Sequence, residues 1–369
     1  MSPEASGAPP ISGLLTVIIT TSVTPSAPST DLISTILSGF RKHCAELLHC
    51  RVIVVFDNYD QITPQARLKK GQVTPEQAQD WDLYKENVKD LILEKFQVIK
   101  TDSEFVNLPG EAEYGSPFME ANTVAFDAVR SADKRVTFIE PSRRLGFGLA
   151  VRTALRMTDT PYVWIQQHDW GLVADVPAET LLQVMAGSES DDEAPVKYVC
   201  FPAVRMLEYA TSGDVEHFTV LKDLTSRLRR DFMSASNPKM KIPLTPLFFW
   251  HDKPHVASTG HYLATVFPSR LAMLRGDFIE DKIGQRARSQ MKEGHWSKWA
   301  TWLYYPEHGR QLCLRHLQGR TRMGAEDQSK RNAAHRERNK KELQQKAVFQ
   351  TSVLNQLDDA DDIGLEGLF

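Results

Sequence analysis

The chain has 369 residues, of which 41% are hydrophobic and 25% charged, and its formal net charge is −3 at pH 7. That balance suits a soluble globular protein with a real core, and a charge so near zero sets up no global field toward nucleic acid or an anionic membrane. Its four cysteines, Cys44, Cys50, Cys200 and Cys313, form no CxxC pair and no dense framework, so they read as thiols in a reducing compartment and not as bridges or zinc ligands.

The N-terminal "MSPEASGAPPISG" lacks a basic stretch followed by an apolar core, so residues 1–12 are expected to be disordered and not a signal peptide. No apolar run reaches the roughly 20 residues of a membrane-spanning helix. The expected location is cytoplasmic, with peripheral attachment to a membrane left open.

In chain order, "LLTVIIT" is a β-branched strand, and "DLISTILSGFRKHCAELL" carries apolar residues at helical spacing behind a Thr30 or Asp31 cap. "RVIVVF" is a second buried strand that ends at Asp57. Two apolar strands around an amphipathic helix make a βαβ unit and imply a parallel sheet whose ligands gather at the carboxyl ends of its strands. Residues 61–134 exceed what a crossover needs and read as an insertion. Within them "TPEQAQDWDLYKENVKDLILEKF" and "ANTVAFDAVRSA" are expected helices. "RVTFIEP", "YVWIQQ" and "KYVCFPAV" are further strands, "GLAVRTALRMT" is a helix, and "GHYLATVFPSRLAML" reads as strand and turn. This alternation is that of a doubly wound α/β sheet. From "GAEDQSK" onward the residues are highly charged and helix-prone. They are read as a tail over 323–369 without nucleic-acid affinity.

Five constellations carry possible chemistry. Thr20, Thr21 and Ser22 follow the first strand and Asp57 the second; hydroxyls and a carboxylate there suit a nucleoside, although turn chemistry selects the same residue types. Arg144, Gly146 and Gly148 precede a helix start, where glycine permits close approach and arginine offers a fork for phosphate. Gln167, His168 and Asp169 end the strand "YVWIQQ", placing an imidazole and a carboxylate where a metal-bridged diphosphate would need them. Glu280 and Asp281 open a helix; a carboxylate beside an acceptor hydroxyl takes its proton, and acids are also common at helix starts. Trp296, Trp299 and Trp302 are candidates to stack on a sugar, though their spacing suits a core better, and His316 lies between Arg315 and "LQGRTR", a segment able to close over phosphates.

The order of these elements resembles the GT-A fold of glycosyltransferases, particularly family 2. Arg144-Leu145-Gly146 stands where that family has NxG, with Arg152 further along the helix. Gln167-His168-Asp169 stands in place of DxD, and Glu280-Asp281…Arg286 looks like the "ED…R" segment. The resemblance covers residues 14–322 in outline and implies a single GT-A, Rossmann-like domain over 13–322 with a mostly parallel sheet flanked by helices. It implies a nucleoside diphosphate sugar donor, a glycan or small-molecule acceptor, and inverting transfer with Asp281 as base. By the same resemblance, Thr20, Thr21, Ser22, Asp57, Arg144, Gly146, Arg152, Gln167 and His168 hold the donor, while Asp169 and His316 hold Mn or Mg. Two departures stand out: Gln167 replaces the first carboxylate of DxD, and Arg144 and Arg152 replace asparagines, so arginine is positioned to neutralise the diphosphate directly. The rival readings are a non-catalytic sugar-nucleotide or glycan-binding protein of the same fold and a nucleotidyltransferase. The latter's glycine-rich basic loop is missing from "TTSVTPSAPST".

Overall fold

A computed structural model describes residues 10–98, 105–119, 121–233, 240–322 and 324, and beyond these only 329, 330, 333 and 337. The chain divides into two compact units, Met1–Thr321 and Arg322–Phe369. The architecture below belongs to the first. Most of the expected C-terminal tail, and residues 1–9 of the expected disordered N-terminus, lie outside the described residues. Ile11–Leu14 form a short helical turn.

The first half follows the expected alternation: β1 (Leu15–Ser22), α1 (Asp31–His43), β2 (Arg51–Asp57) and α2 (Pro75–Lys95). β1 is buried almost end to end, as befits a strand covered on both faces, and therefore reads as an unbroken apolar run. Helix α1 buries Leu32, Ile33, Ile36, Leu37 and Phe40, the 3.6-residue stripe that holds it on the sheet at about 1.5–3 kcal/mol per large apolar side chain. Helix α2 begins at a capping box in which the Thr74 side chain accepts from the Gln77 amide and Gln77 reciprocates, satisfying two donors that the first turn leaves free.

After α2 the chain forms β3 (Thr123–Ser131), where the sequence suggested a helix, and then β4 (Val136–Pro141). β3 pairs antiparallel with β4 over Phe126–Arg130. The β-branched and aromatic residues of "TVAFDAVRS" fit a pleated surface, and pairing along β4 overrides the helical spacing. Helix α3 (Phe147–Arg156), β5 (Tyr162–Gln167), β6 (Trp170–Leu172), α4 (Ala178–Gly187) and β7 (Tyr198–Cys200) follow. The remainder comprises β8 (Lys241–Pro246), β9 (His255–Ser258), α5 (Thr259–Thr265), α6 (Gln285–Lys292), β10 (Thr301–Tyr304) and β11 (Leu314–His316). Helix α5 replaces the expected strand at "GHYLAT"; the Ser258 hydroxyl caps it by accepting from the His261 amide.

The main sheet has 12 strands in the order β8-β10-β7-β9-β5-β1-β2-β4-β3, extended by short edge strands. Its centre, β5-β1-β2-β4, is parallel. The flanks are antiparallel at β3–β4, β5–β9, β7–β9 and β8–β10. The sheet is therefore mixed: the strands that build the site are parallel, and β7 with β10 makes a further parallel pair within the otherwise antiparallel flank. A separate two-stranded ladder pairs β6 with β11, setting Trp170 opposite His316. Among the described residues no helix is long and apolar enough to cross a membrane.

Candidate functional site

A cavity of about 440 Å³ lies at the carboxyl ends of β1, β2 and β5, where the parallel strands of an α/β sheet present their loops. Thr20, Thr21 and Ser22 from β1, Asp57 from β2, and Gln167, His168 and Asp169 from the end of β5 all line it. Arg144 and Gly146 enter from the loop before α3, and His316 from the end of β11.

Local hydrogen bonds show what each of these groups is already doing. The Asp57 carboxylate accepts from the backbone amides of Leu145 (2.6 Å) and Gly146 (3.0 Å), so it ties the loop before α3 to β2. Burial pushes its carboxyl up to about 6, against the opposing pull of the two amides and Arg144. Gly148 donates its amide to the Asp277 carbonyl at 3.1 Å. The amides of Gly146 and Gly148, expected to cradle phosphate, are thus engaged inside the protein. Gly146 is required by packing: its φ is +83° and a Cβ there would lie 2.4 Å from the Gly276 Cα.

Thr21 gives its hydroxyl to a buried hydrogen bond with Tyr84 at 2.8 Å. The Ser22 amide donates to His168 Nδ1 at 3.3 Å, and the His168 amide donates to the Thr20 carbonyl at 3.0 Å. His168 is buried, and burial moves its imidazole below the usual histidine range. The Gln167 side chain donates to the Asp252 carbonyl at 2.8 Å, so the residue in place of the first DxD carboxylate works as a fastener toward β9.

The segment after β11 folds directly onto the end of β5. Leu317 donates its amide to the Asp169 carbonyl at 2.7 Å, and His316 Nε2 stands 3.2 Å from Asp169 Oδ2. A Cβ on Gly319 would fall 2.7 Å from His168 Nε2 and 2.9 Å from the Asp169 Cβ, so only glycine admits this contact. Burial alone would raise the Asp169 carboxyl. The hydrogen bond from His316, with the charges of His168, His316 and Arg320, instead holds it below the usual carboxylate range.

Among the described residues no group of three or more His, Cys, Asp or Glu side chains is placed to hold a metal ion. Asp169 and His316 alone fit a cation shared with a phosphate ligand, since magnesium-type ions take one or two protein groups and complete their shell from phosphate and water.

Other expected site residues lie elsewhere. Arg152 is 1% exposed inside α3 and does not line the cavity. Among the described residues its two terminal guanidinium nitrogens have no hydrogen-bond partner, and burial pulls its pKa down to about 10. It is not placed to touch a donor. Trp296, Trp299 and Trp302 are at most 1% exposed; their indole N–H groups donate to the Thr301 carbonyl, the Gln290 side chain and the Pro195 carbonyl. They are core residues, which rules them out as an acceptor platform.

Glu280 and Asp281 open the turn that leads into α6 and do not line the cavity, whereas Phe278, shortly before them, does. Glu280 accepts from the Asp252 amide at 3.3 Å and faces His251 at 3.3 Å and Lys253 at 3.6 Å. Although burial opposes it, these partners bring its carboxyl down to about 2. Asp281 is exposed.

Several groups at the site escaped sequence reasoning. Tyr59, Lys69 and Phe278 line the cavity and belong to no recognisable spacing, whereas Arg320, which also lines it, lies in the segment "LQGRTR" that the sequence pointed to as a phosphate strap. Trp170 is half-buried beside Asp169, its ring 4.8 Å from that of His316 and 6.0 Å from the Lys253 ammonium. Its position directly after the polar end of β5 was the one available signal.

No family model matches the chain, and no curated protein matches it by sequence. Solved structures similar to it include TarS of S. aureus, 9% identical over 82% of this chain and 36% of that one, with a TM-score of 0.38. They also include the Pyrobaculum calidifontis mannosyltransferase PcManGT in complex with GDP-Man and Mn2+, 13% identical over 80% and 58%, with a TM-score of 0.35. A third is glucosyl-3-phosphoglycerate synthase of Mycobacterium tuberculosis in complex with Mn2+, UDP and phosphoglyceric acid, 12% identical over 69% and 59%, with a TM-score of 0.28. The chain spans less than two thirds of the length of each of these proteins.

Proposed function

We propose that this protein is a GT-A-type glycosyltransferase that moves a sugar from a nucleoside diphosphate sugar to an acceptor hydroxyl. The observation that carries this reading is the cavity at the ends of β1, β2 and β5, which combines hydroxyls, an aromatic ring, cations and the Asp169–His316 pair. Its volume of about 440 Å³ is in the range of small-molecule and cofactor sites.

In this reading Tyr59, Thr20 and Ser22 face the nucleoside and Arg144 the diphosphate. Asp57 acts by fixing the loop that carries Arg144. Asp169 and His316 would hold Mn or Mg, which would neutralise charge on the departing diphosphate. The acceptor hydroxyl oxygen attacks the anomeric carbon in line. The bond from that carbon to the phosphate oxygen breaks, the diphosphate leaves with the electron pair, and configuration inverts. The hydroxyl proton would pass to Asp281, the base that the resemblance implies; because Asp281 does not line the cavity, this requires an acceptor that reaches past the cavity wall at Phe278. Trp170 takes the acceptor-side role that the three core tryptophans cannot fill.

The test is turnover of a panel of labelled sugar nucleotides with and without Mn. Hydrolysis or transfer with at least one donor, abolished in Asp281→Asn while donor binding persists, is the expected outcome. Absence of turnover with every donor would sink the catalytic reading. A second reading, a sugar-nucleotide-binding protein without catalysis, is favoured by the engagement of Gln167 with the Asp252 carbonyl. It predicts donor binding that no condition converts into turnover.

A further inference from the structure

Three cations enter the cavity from three separate segments. Lys69 rides on the short turn Leu68–Lys70, closed by Gly71 at φ +68°. That turn is tied back to the end of β2 because the Gly71 carbonyl accepts from the amides of Asp60 (2.7 Å) and Gln61 (3.1 Å). Arg144 precedes α3, and Arg320 lies in the turn Gly319–Thr321 after β11. All three line the cavity. Among the described residues none of them has a carboxylate within ion-pair distance, whereas Arg275 nearby is paired with Asp60.

The carboxylates of the cavity feel Arg144 and Arg320 only at a distance and form no ion pair with them. Asp57 gives both oxygens to backbone amides, and Asp169 faces His316. Backbone donors are also spent, since Gly146 and Gly148 bond within the protein. Arg144 is further held in place by its surroundings. A Cβ on Gly71 would come within 2.8 Å of its Cδ, and one on Gly276 within 3.1 Å of a guanidinium nitrogen. Arg275 also donates to the Arg144 carbonyl at 3.2 Å. A side chain threaded between two positive-φ glycines, with no ion pair among the described residues, offers its donor fork to an anion.

We infer that Lys69, Arg144 and Arg320 form a three-armed clamp for a diphosphate group, able to bind it without a divalent cation. The inference rests on the reading of this cavity as a nucleoside diphosphate sugar site and adds to it how that ligand's charge is met. The flap carrying Lys69 and the strap carrying Arg320 close on the diphosphate from two sides, and Arg144 meets it from the loop before α3. Asp169 and His316 would then hold a cation whose charge would ease departure of the diphosphate, while capture would rest on the three cationic side chains.

Inorganic pyrophosphate is the direct probe, measured by titration calorimetry on the full chain in EDTA and again with Mn. Wild type is expected to bind in EDTA, with an affinity that falls as salt rises. Arg144→Gln, Arg320→Gln and Lys69→Met, which preserve most of the side-chain volume, are each expected to weaken binding by about tenfold or more, the scale of one charge-assisted contact. Lys70→Ala, on the exposed neighbour of Lys69, is expected to bind as wild type. Binding that vanishes in EDTA, or that survives all three cavity substitutions unchanged, overturns the clamp. Pyrophosphate carries no sugar, so a protein that binds it in EDTA yet turns over no donor would keep the clamp and lose the glycosyltransferase reading.

Discussion

His316 Nε2 stands 3.2 Å from Asp169 Oδ2, a pairing created by β11 running antiparallel to β6. It joins the two candidate ligands of a catalytic cation. Asp169→Asn is expected to abolish the stimulation of donor turnover by Mn. His316→Ala should weaken Mn affinity by about 10–100-fold, in line with the loss of one supporting group at a metal site. Manganese titration followed by electron paramagnetic resonance, in the presence of a nucleoside diphosphate, checks both.

Asp57 gives a pH signature. Its carboxyl is raised from 3.8 to about 6 by burial, so the fold favours the protonated form. The stability this contributes is complete below about pH 4 and is lost as pH rises through about 6, an amplitude of about 3 kcal/mol. Urea unfolding between pH 3.5 and 7 should show the loss in wild type. The difference between wild type and Asp57→Asn should carry this loss, because the asparagine does not titrate and the remaining groups cancel.

Arg152 buries a guanidinium whose terminal nitrogens lack partners among the described residues. An unpartnered buried donor costs about 1–3 kcal/mol. Arg152→Met is therefore expected to leave pyrophosphate affinity unchanged and to raise the melting temperature. A lower melting temperature with lost affinity would mean that the guanidinium serves the site after all.

Trp299 is fully buried, donates to Gln290 at 3.0 Å, and packs edge-on against Trp250 at 6.3 Å. Trp299→Ala should cost about 3–5 kcal/mol of stability, as large core truncations do. Chemical denaturation measures this. An acceptor platform would instead show a raised KM with stability intact.

Gly146→Ala should destabilise the loop that presents Arg144. The added Cβ meets the Gly276 backbone, and φ is +83°, a region costly to any side chain. Loss of pyrophosphate affinity together with a lower melting temperature is the expected pair of results. Gly187→Ala, where a Cβ meets nothing within 4 Å, is the control.

The parallel centre of the sheet was legible because β1, β2 and β5 are buried on both faces, which writes itself as apolar runs ending in polar residues. Asp57 and Asp169 were found in this way, though the work of Asp57 was not. Its two bonds to the loop before α3 depend on a crossover whose exact placement no local pattern encodes. The tryptophans misled for a related reason: an aromatic cluster looks the same whether it faces a sugar or the core, and only burial separates the two. Lys69 stayed hidden because it sits on a turn of ordinary composition and acquires meaning only from what lies across the cavity, whereas Arg320 was legible within the basic segment "LQGRTR" after His316. β3 was misread because "AFDAV" has helical spacing, while its real period is set by the neighbouring strand.

The ladder of β6 with β11 also has a consequence for synthesis. Every strand of the parallel centre leaves the ribosome long before Leu314–His316, so a nascent chain can assemble the sheet while its ligand site still lacks the imidazole and one arm of the clamp. Binding competence then arrives as a late, discrete event, when the closing strand docks. On the proposed reading, a chain truncated ahead of Leu314 lacks His316 and Arg320 and is expected to bind pyrophosphate more weakly than the full chain.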